Sequence, residues 1–165
     1  MRNRLLLAAL ALASVAAGTS ARSYRNEALH VRGFEPPSGW VLAPQGSYPR
    51  LLASYSHREG GRITLSAQRI APGTTALKLA ESSRAPLERQ GFAALVIAAD
   101  GARARLEATL DGGKRFARQL YLTDGGVGFV VTLIAPRAAE STMVRDYEEA
   151  LRTLQVGAGA ESIVR

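Results

Sequence analysis

The sequence predicts a single α/β domain of the α+β type, in which an antiparallel sheet is flanked by helices. Glycine-rich turns separate runs of apolar and β-branched residues, which is typical of hairpins. Two other segments carry apolar residues at three- and four-residue spacing, which is typical of amphipathic helices. The chain has 165 residues, of which 47% are hydrophobic and 21% charged, and this balance indicates one globular domain.

The N-terminus has the pattern of an export signal. Arg2 and Arg4 precede an apolar run, Leu5–Ala17, and small residues follow it. The run is shorter than the roughly 20 residues that a membrane-spanning helix needs. We therefore predict a cleaved signal peptide at 1–21, a linker at 22–28, the folded domain at 29–156 and a flexible tail at 157–165. A retained N-terminal anchor is the alternative. The expected location is the periplasm or the exterior of a bacterial cell.

Composition excludes several classes of site. The chain contains no cysteine, so a disulfide framework, a zinc–thiolate site and a cysteine nucleophile are excluded. The formal net charge is +7, but the arginines are spread along the chain and form no dense cluster. We expect no nucleic-acid partner and, after signal cleavage, no stable membrane span.

The turn at Asp111–Gly113 sets the register of one predicted hairpin. Even-numbered positions are apolar in both flanking strands. They share one face of the sheet only if the loop has an odd number of residues. A three-residue loop would place Leu110 opposite Lys114 and Ala108 opposite Phe116.

The next hairpin requires the opposite parity. Leu120 must share a face with Phe129 and Val131, so we predict a two-residue loop drawn from residues 124–126. The strand Val127–Pro136 is apolar on both faces, which indicates a central strand. An upstream hairpin is predicted from residues 50–57 and 62–70, with Leu51, Ala53 and Tyr55 facing Ile63, Leu65 and Ala67.

Two helices account for the remaining segments. Thr74–Gly91 has a threonine at its start and a glycine at its end, and Pro86 predicts a break or kink near Arg84. Ala138–Gln155 is amphipathic, and Gly157 and Gly159 are expected to end it.

The segment "RGFEPPSGWVLAP" (Arg32–Pro44) contains the single tryptophan, Trp40. Pro36 and Pro37 cannot donate ladder hydrogen bonds and favour an extended corner. Gly39 then permits a tight turn that returns Trp40 to the sheet. This pattern favours a structural corner, with Trp40 as a core anchor, over a ligand platform.

The order of elements resembles that of the PsbP-like family. PsbP, Mog and the DcrB-type envelope proteins share the fold of this family. The Phe-x-x-Pro-x-Gly-Trp pattern at Phe34, Pro37, Gly39 and Trp40 is the most specific part of the resemblance, which spans about residues 29–156. It implies an α/β/α sandwich, in a bacterial exported member. It implies no particular function, because members have different roles.

No pattern indicates catalysis. His30 and His57 are the two histidines, and neither lies in a ligand-like cluster; no Gly-x-Ser-x-Gly elbow occurs. The glycine-rich "GGVG" (Gly125–Gly128) precedes a strand, not the helix N-terminus that a phosphate site uses. We therefore expect no enzyme activity, with a hydrolase as the third and weaker alternative, and we expect no cofactor and no metal site.

Arg118 interrupts the apolar pattern of its strand. The predicted register places it on the core face between Phe116 and Leu120, opposite Leu106. Either a strand end or bulge lets its guanidinium reach water, or it pairs with a helix carboxylate such as Glu148, or it contacts an anion in a groove.

Two candidate surfaces follow from this register. One face of the strands that flank the turn Asp111–Gly113 is polar, and this face would dock a partner, be solvated or be covered by a helix. Its residues are Arg103, Arg105, Arg115, Gln119 and Tyr121. A groove between sheet and helix would involve Trp40, Tyr48 and Arg118.

The favoured function is a non-enzymatic interaction or assembly module of the cell envelope, with another envelope protein as partner. A binder of a small or apolar ligand in the groove is the alternative.

Overall fold

The computed structural model describes residues 23–43, 51–100, 102–124 and 126–157. It has nine strands and two α-helices in these ranges: β1 Val31–Gly33, β2 Trp40–Leu42, β3 Leu51–His57, β4 Arg62–Arg69, α1 Ala76–Arg89, β5 Ala93–Asp100, β6 Arg103–Leu110, β7 Arg115–Asp124, β8 Val127–Pro136, α2 Glu140–Thr153 and β9 Gln155–Val156.

Seven of the strands form one antiparallel sheet in the order β2-β3-β4-β8-β7-β6-β5. The strand that is apolar on both faces, β8, lies in the middle, as predicted. β1 and β9 pair separately as a two-stranded ladder. The fold class predicted from the sequence is therefore confirmed: one antiparallel sheet with a helix on each face.

The β7–β8 hairpin has the predicted two-residue loop. Asp124 lies opposite Val127, and Leu120 lies opposite Val131. The upstream hairpin is also as predicted over most of its length, with Tyr55 opposite Ile63. Its register shifts between Leu51 and Ala53, so that Leu51 lies opposite Ser66.

The predicted register of the β6–β7 hairpin is wrong. Leu110 lies opposite Arg115, so four residues form the loop and not three. The backbone explains the extra residue, because Asp111 and Gly112 both have positive φ (53° and 64°) and begin a 3-10 turn that includes Lys114 at its end. As a result, the even-numbered residues of β6 share a face with the odd-numbered residues of β7.

This parity divides the apolar residues between two cores. The even-numbered residues of β7 pack with β3, β4 and β8 against α2, through Met143, Tyr147, Ala150 and Leu151. The even-numbered residues of β6 pack with Tyr121 against α1, through Ala76, Leu79, Ala80 and Leu87. The two helices cover different parts of the sheet: α1 lies over β5, β6 and β7, whereas α2 contacts β8.

Helix α1 runs without interruption through Pro86, so of the two predicted outcomes near Arg84, a break or a kink, the break is wrong. Pro86 removes one backbone donor near the helix end. The end itself is well bonded: the N–H of Phe92 donates to the carbonyl of Leu87 (3.1 Å), and the N–H of Gly91 donates to that of Glu88 (3.0 Å). This is a Schellman motif with Gly91 at φ 87°, and it buries Leu87 and Phe92 in the same core.

Helix α2 is shorter than the sequence predicted. Residues 137–139 form a 3-10 turn, and the helix ends at Thr153, before Gly157. Leu154 is already extended, because Gln155 and Val156 pair with β1. Gly159 lies outside the described residues.

Chain upstream of residue 29 also contributes to the folded domain. Tyr24 and Phe34 exchange backbone hydrogen bonds of 2.9 and 3.1 Å, and Tyr24 packs against the α2-side core. Asn26 accepts a bond from the N–H of Leu29 through its side chain. These contacts begin within the segment that the sequence assigned to a linker.

Three buried tyrosines give the fold a dependence on alkaline pH. Burial raises the pKa of Tyr55 to about 12 and also raises the pKa values of Tyr121 and Tyr147 above their usual value. The neutral phenols stabilise the fold fully below pH 10, and this contribution is lost as the pH rises from about 10 towards 12. We expect Tyr55 alone to account for about 2–3 kcal/mol of this loss of unfolding free energy at pH 12, measured by urea unfolding. In Tyr55→Phe, the unfolding free energy should fall less steeply between pH 10 and pH 12. An equally steep fall in this variant would contradict the role assigned to Tyr55.

Candidate functional site

Trp40 lies in the core and not in a groove. Its side chain is fully buried, and its Nε1 donates a 3.0 Å hydrogen bond to Oδ2 of Asp146 on α2. Gly39, with φ 100°, makes the turn that brings Trp40 to this position, and the His57 ring packs 5.2 Å from the indole. A fully buried indole offers no face to a ligand, so Trp40 lines no open groove in the part of the chain that the structure describes. Tyr48 lies outside the described residues.

Arg118 lies opposite Glu107 and not opposite Leu106, because of the four-residue loop. Its Nε is 3.4 Å from a carboxylate oxygen of Glu107, whose side chain is 61% exposed. Glu148, the helix carboxylate proposed as its partner, pairs with Arg105 at 3.2 Å. Arg118 therefore keeps contact with water at the margin of the α2-side core.

We predict that Arg118→Met changes the free energy of unfolding by less than about 1 kcal/mol, because exposed ion pairs contribute little. Thermal unfolding followed by circular dichroism measures this directly. Glu107→Gln serves as the control that removes the same ion pair from its other side. A loss above about 3 kcal/mol in either variant would show that the pair is buried and contradict the assignment.

The five residues predicted as one partner surface are divided between the two faces of the sheet. Arg103 and Arg105 lie on the α2 side, opposite Leu122 and Leu120. The other three lie on the α1 side: Arg115, Gln119 and Tyr121. Gln119 and Tyr121 are also buried (7% and 1% exposed), so they cannot form an open docking surface. The cause is again the four-residue loop.

The open edge of the sheet at β5 is the most exposed apolar element that the structure describes. Val96 is 63% exposed, and Ala93, Ala94, Ala98 and Ala99 are exposed too. Residues 93–99 contain no charge, no proline and no glycine. Natural proteins usually protect edge strands with charges, prolines or a covering element. Among the described residues, β5 pairs with β6 alone, so one side of its backbone is open.

A bulge shapes the start of this edge. The β5–β6 register shifts between Ala93 and Val96, and Ala94 has a left-handed backbone with φ 52°. From Val96 to Asp100 the pairing is regular. The regular part therefore presents about five residues, the mean length of a strand in proteins.

The other edge of the sheet is different. β2 has three residues, of which Val41 is 51% exposed. A strand this short offers little backbone for pairing. The two edges thus provide an internal comparison for any docking experiment.

Comparisons with known proteins address the fold. No family model matches the chain, and no curated protein matches it. A solution structure of cyanobacterial PsbP (CyanoP) from Synechocystis sp. PCC 6803 superimposes with a TM-score of 0.58 at 13% identity, covering 90% of this chain and 99% of that one. The chain has a PsbP-like fold. At this identity the likeness shows the fold alone, as the resemblance implied.

A crystal structure from Bacteroides thetaiotaomicron VPI-5482 also matches, with a TM-score of 0.47 and 16% identity; it covers 78% of this chain and 46% of that one. Within the ranges that the structure describes, no helix of this PsbP-like domain is long and apolar enough to cross a membrane. The same ranges contain no cluster of three or more histidine or carboxylate side chains that could hold a metal ion.

Proposed function

We propose that the protein is a non-enzymatic, exported protein-interaction module of the bacterial cell envelope, which binds an extended segment of a partner protein along β5. The observation that carries the proposal is the open apolar edge of β5, with Val96 63% exposed. Adding a strand to an open sheet edge is a common mode of peptide recognition, in which main-chain hydrogen bonds supply affinity.

The hairpin geometry identifies which backbone groups are available. Asp100 and Arg103 close a two-residue loop, and closing residues of such a loop bond to each other. By alternation, Ile97 and Ala99 direct their N–H and C=O groups to the open side. The position of Arg84 agrees with this alternation, since its Nη1 lies 3.4 Å from the carbonyl oxygen of Leu95, two residues before Ile97.

The charges around the edge indicate the chemistry of the partner segment. On the α2 side, where the side chains of Val96 and Ala98 point, Arg105 and Arg118 are already paired with Glu148 and Glu107. A charged segment beside Val96 and Ala98 would gain no opposite charge from these two paired arginines and would lose hydration. We therefore expect an uncharged segment with small or β-branched residues on the side that faces Val96 and Ala98.

Photo-crosslinking in intact cells tests the proposal. A benzophenone amino acid at position 96 or 98 should capture one partner segment, with the two adducts two residues apart, because both side chains lie on one face of β5. The same amino acid at Val41, on the short opposite edge, is the matched control. Scattered adducts, equal capture from position 41, or a second copy of this chain as the sole product would overturn the proposal.

Variants that change the backbone of β5 distinguish strand addition from nonspecific hydrophobic binding. Ala99→Pro removes an N–H from the open side and leaves the β5–β6 bonds, so we expect crosslinking from position 98 to fall at least about tenfold. Ala99→Ser keeps the N–H and should crosslink as the native chain does. Ala98→Lys, read from position 96, places a charge on the edge and provides a second test if the proline variant unfolds. Unchanged yields in folded variants would contradict strand addition.

The export part of the proposal rests on Arg2, Arg4 and the apolar run Leu5–Ala17. We expect mature protein recovered from a bacterial periplasmic fraction to begin near residue 22 if cleavage follows Thr19-Ser20-Ala21, or near residue 18 if it follows Val15-Ala16-Ala17. Intact-mass measurement decides this. A full-length chain that stays in the cytoplasmic fraction would contradict export and would leave the β5 proposal to its own test.

A further inference from the structure

A second candidate site lies on the opposite side of the molecule from α2, in a cleft of about 340 Å³ between α1 and the sheet. It is lined by Ser66, Ala67, Gln68, Ser82, Ser83, Pro86, Leu87, Gln119, Tyr121, Gly128, Val130 and Thr132. The volume lies at the lower end of the range for small-molecule sites, roughly 300–1,000 Å³.

The cleft exists because α1 covers only part of its face of the sheet. Leu79 and Leu87 belong to the same core as Ala104, Leu106 and Ala108 of β6, and Leu79 also reaches Gly128 at the start of β8. The neighbouring strands β4 and β8 extend beyond the helix and form the floor of the cleft.

A buried polar network preorganises the floor. Gln119 is 93% buried, as its 7% exposure shows, and its amide bridges two other side chains. Its oxygen accepts from the hydroxyl of Tyr121, and its Nε2 donates to Oγ1 of Thr132 at 3.1 Å. The second N–H of the amide and the hydroxyl proton of Thr132 remain to donate.

The wall formed by α1 adds two hydroxyl groups. Ser82 and Ser83 both donate to the carbonyl oxygen of Leu79, at 2.8 and 2.9 Å. The lone pairs of Ser82 can therefore accept from a ligand, whereas the hydroxyl of Ser83 is also within hydrogen-bonding reach of the Tyr121 side chain. Donors on the floor and acceptors on the wall thus line the same space.

Among the described residues, the lining contains no acidic, basic or histidine side chain. A charged ligand would lose its hydration without gaining an opposite charge. Hydroxyl groups, which donate and accept, match the amide and hydroxyl lining, and Pro86, Leu87 and Val130 provide apolar surface for C–H groups. A volume of about 340 Å³ suits a ligand of the size of one hexose with its hydroxyls.

We infer that this cleft binds a neutral, hydroxylated small molecule of the size of a monosaccharide. The site is independent of the β5 edge, because no residue of β5 lines it.

Heteronuclear NMR titration of the mature protein tests the inference with glucose and galactose as probes. We expect saturable amide shifts at millimolar sugar, confined to the residues that line the cleft. Glucose 6-phosphate and glucuronate, which carry charges, should bind at least about fivefold more weakly. Equal binding of the charged sugars, or no saturable shift with either probe up to 100 mM, would overturn the inference.

Two variants make the test specific. Ser66→Phe fills the cleft from the floor and should abolish the shifts, whereas Ser56→Phe, an exposed position on neighbouring β3, should leave them unchanged. Thr132→Val removes one hydroxyl at nearly constant volume and should weaken binding about two- to tenfold. Shifts that persist in folded Ser66→Phe protein would place the sugar elsewhere and overturn the inference.

Discussion

Replacing Trp40 with alanine is expected to lower the free energy of unfolding by about 4 kcal/mol, the largest effect of any single substitution considered for this chain. The side chain is fully buried in the α2-side core, so its removal creates a large cavity. It also removes the donor to Oδ2 of Asp146, a carboxylate that is only 5% exposed. Whole domains are stable by about 5–15 kcal/mol, so this variant should be close to unfolding.

Urea unfolding followed by circular dichroism measures the effect. Trp40→Phe should cost less, about 2 kcal/mol, because it keeps most of the ring but still removes the hydrogen bond to Asp146. Val41→Ala, at the adjacent exposed position, is the control and should change stability by no more than about 0.5 kcal/mol. A loss below about 1 kcal/mol for Trp40→Ala would contradict its assignment as a core anchor.

Gly61→Ala is expected to destabilise the fold by about 2–3 kcal/mol, the second largest effect. A Cβ at this position would lie 2.9 Å from Cη2 of Trp40 and 2.5 Å from Sδ of Met143. The methionine end can move, but the indole is fixed by its bond to Asp146. A glycine is therefore required at position 61, because any side chain there would collide with the indole of Trp40.

A double-mutant cycle identifies the contact responsible. Met143→Ala makes room on one side of the added Cβ, so the double variant with Gly61→Ala should be more stable than the sum of the two single losses predicts, by at least about 0.5 kcal/mol. Additive losses would show that the methionine contact contributes nothing and that the effect has another origin.

Local chemistry made much of the fold predictable. The Asp-Gly-Gly sequence that begins at the last residue of β7 predicted the correct two-residue loop, and the parity of Leu120 and Val131 fixed that register. The Pro-Pro-Ser-Gly-Trp corner likewise predicted a buried Trp40. These features depend on neighbouring residues, whose steric preferences can be read along the chain.

The other Asp-Gly-Gly turn shows the limit of this reasoning. At 111–113 the same three residues begin a four-residue loop, because Asp111 itself adopts a positive φ. A sheet that is covered on both faces accepts apolar side chains from either parity, so hydrophobic pattern alone did not distinguish the registers. Because of the four-residue loop, Arg118 lies opposite Glu107 and not opposite Leu106. For the same reason, the five residues of the predicted partner-docking surface are divided between the two faces of the sheet.

The site residues were harder to predict than the fold. Gln119 and Tyr121 were singled out by sequence, but as members of a polar face that would dock a partner, be solvated or be covered by a helix, whereas they lie in the floor of a cleft. The β5 edge was not singled out, although its uncharged run before an Asp-Gly turn was a usable signal. Which strand becomes an edge depends on the order of strands in the sheet, and this order is not local information.

Amide hydrogen exchange at the β5 edge tests the central proposal most directly. The measurement compares the mature protein alone with the protein bound to the partner segment that position 98 captures. Strand addition predicts that the amides of Ile97 and Ala99, which face the open side, exchange at least about tenfold more slowly in the complex, while the amide of Val41 on the opposite edge is unchanged. Unchanged exchange at Ile97 and Ala99 in a complex that has formed would contradict it.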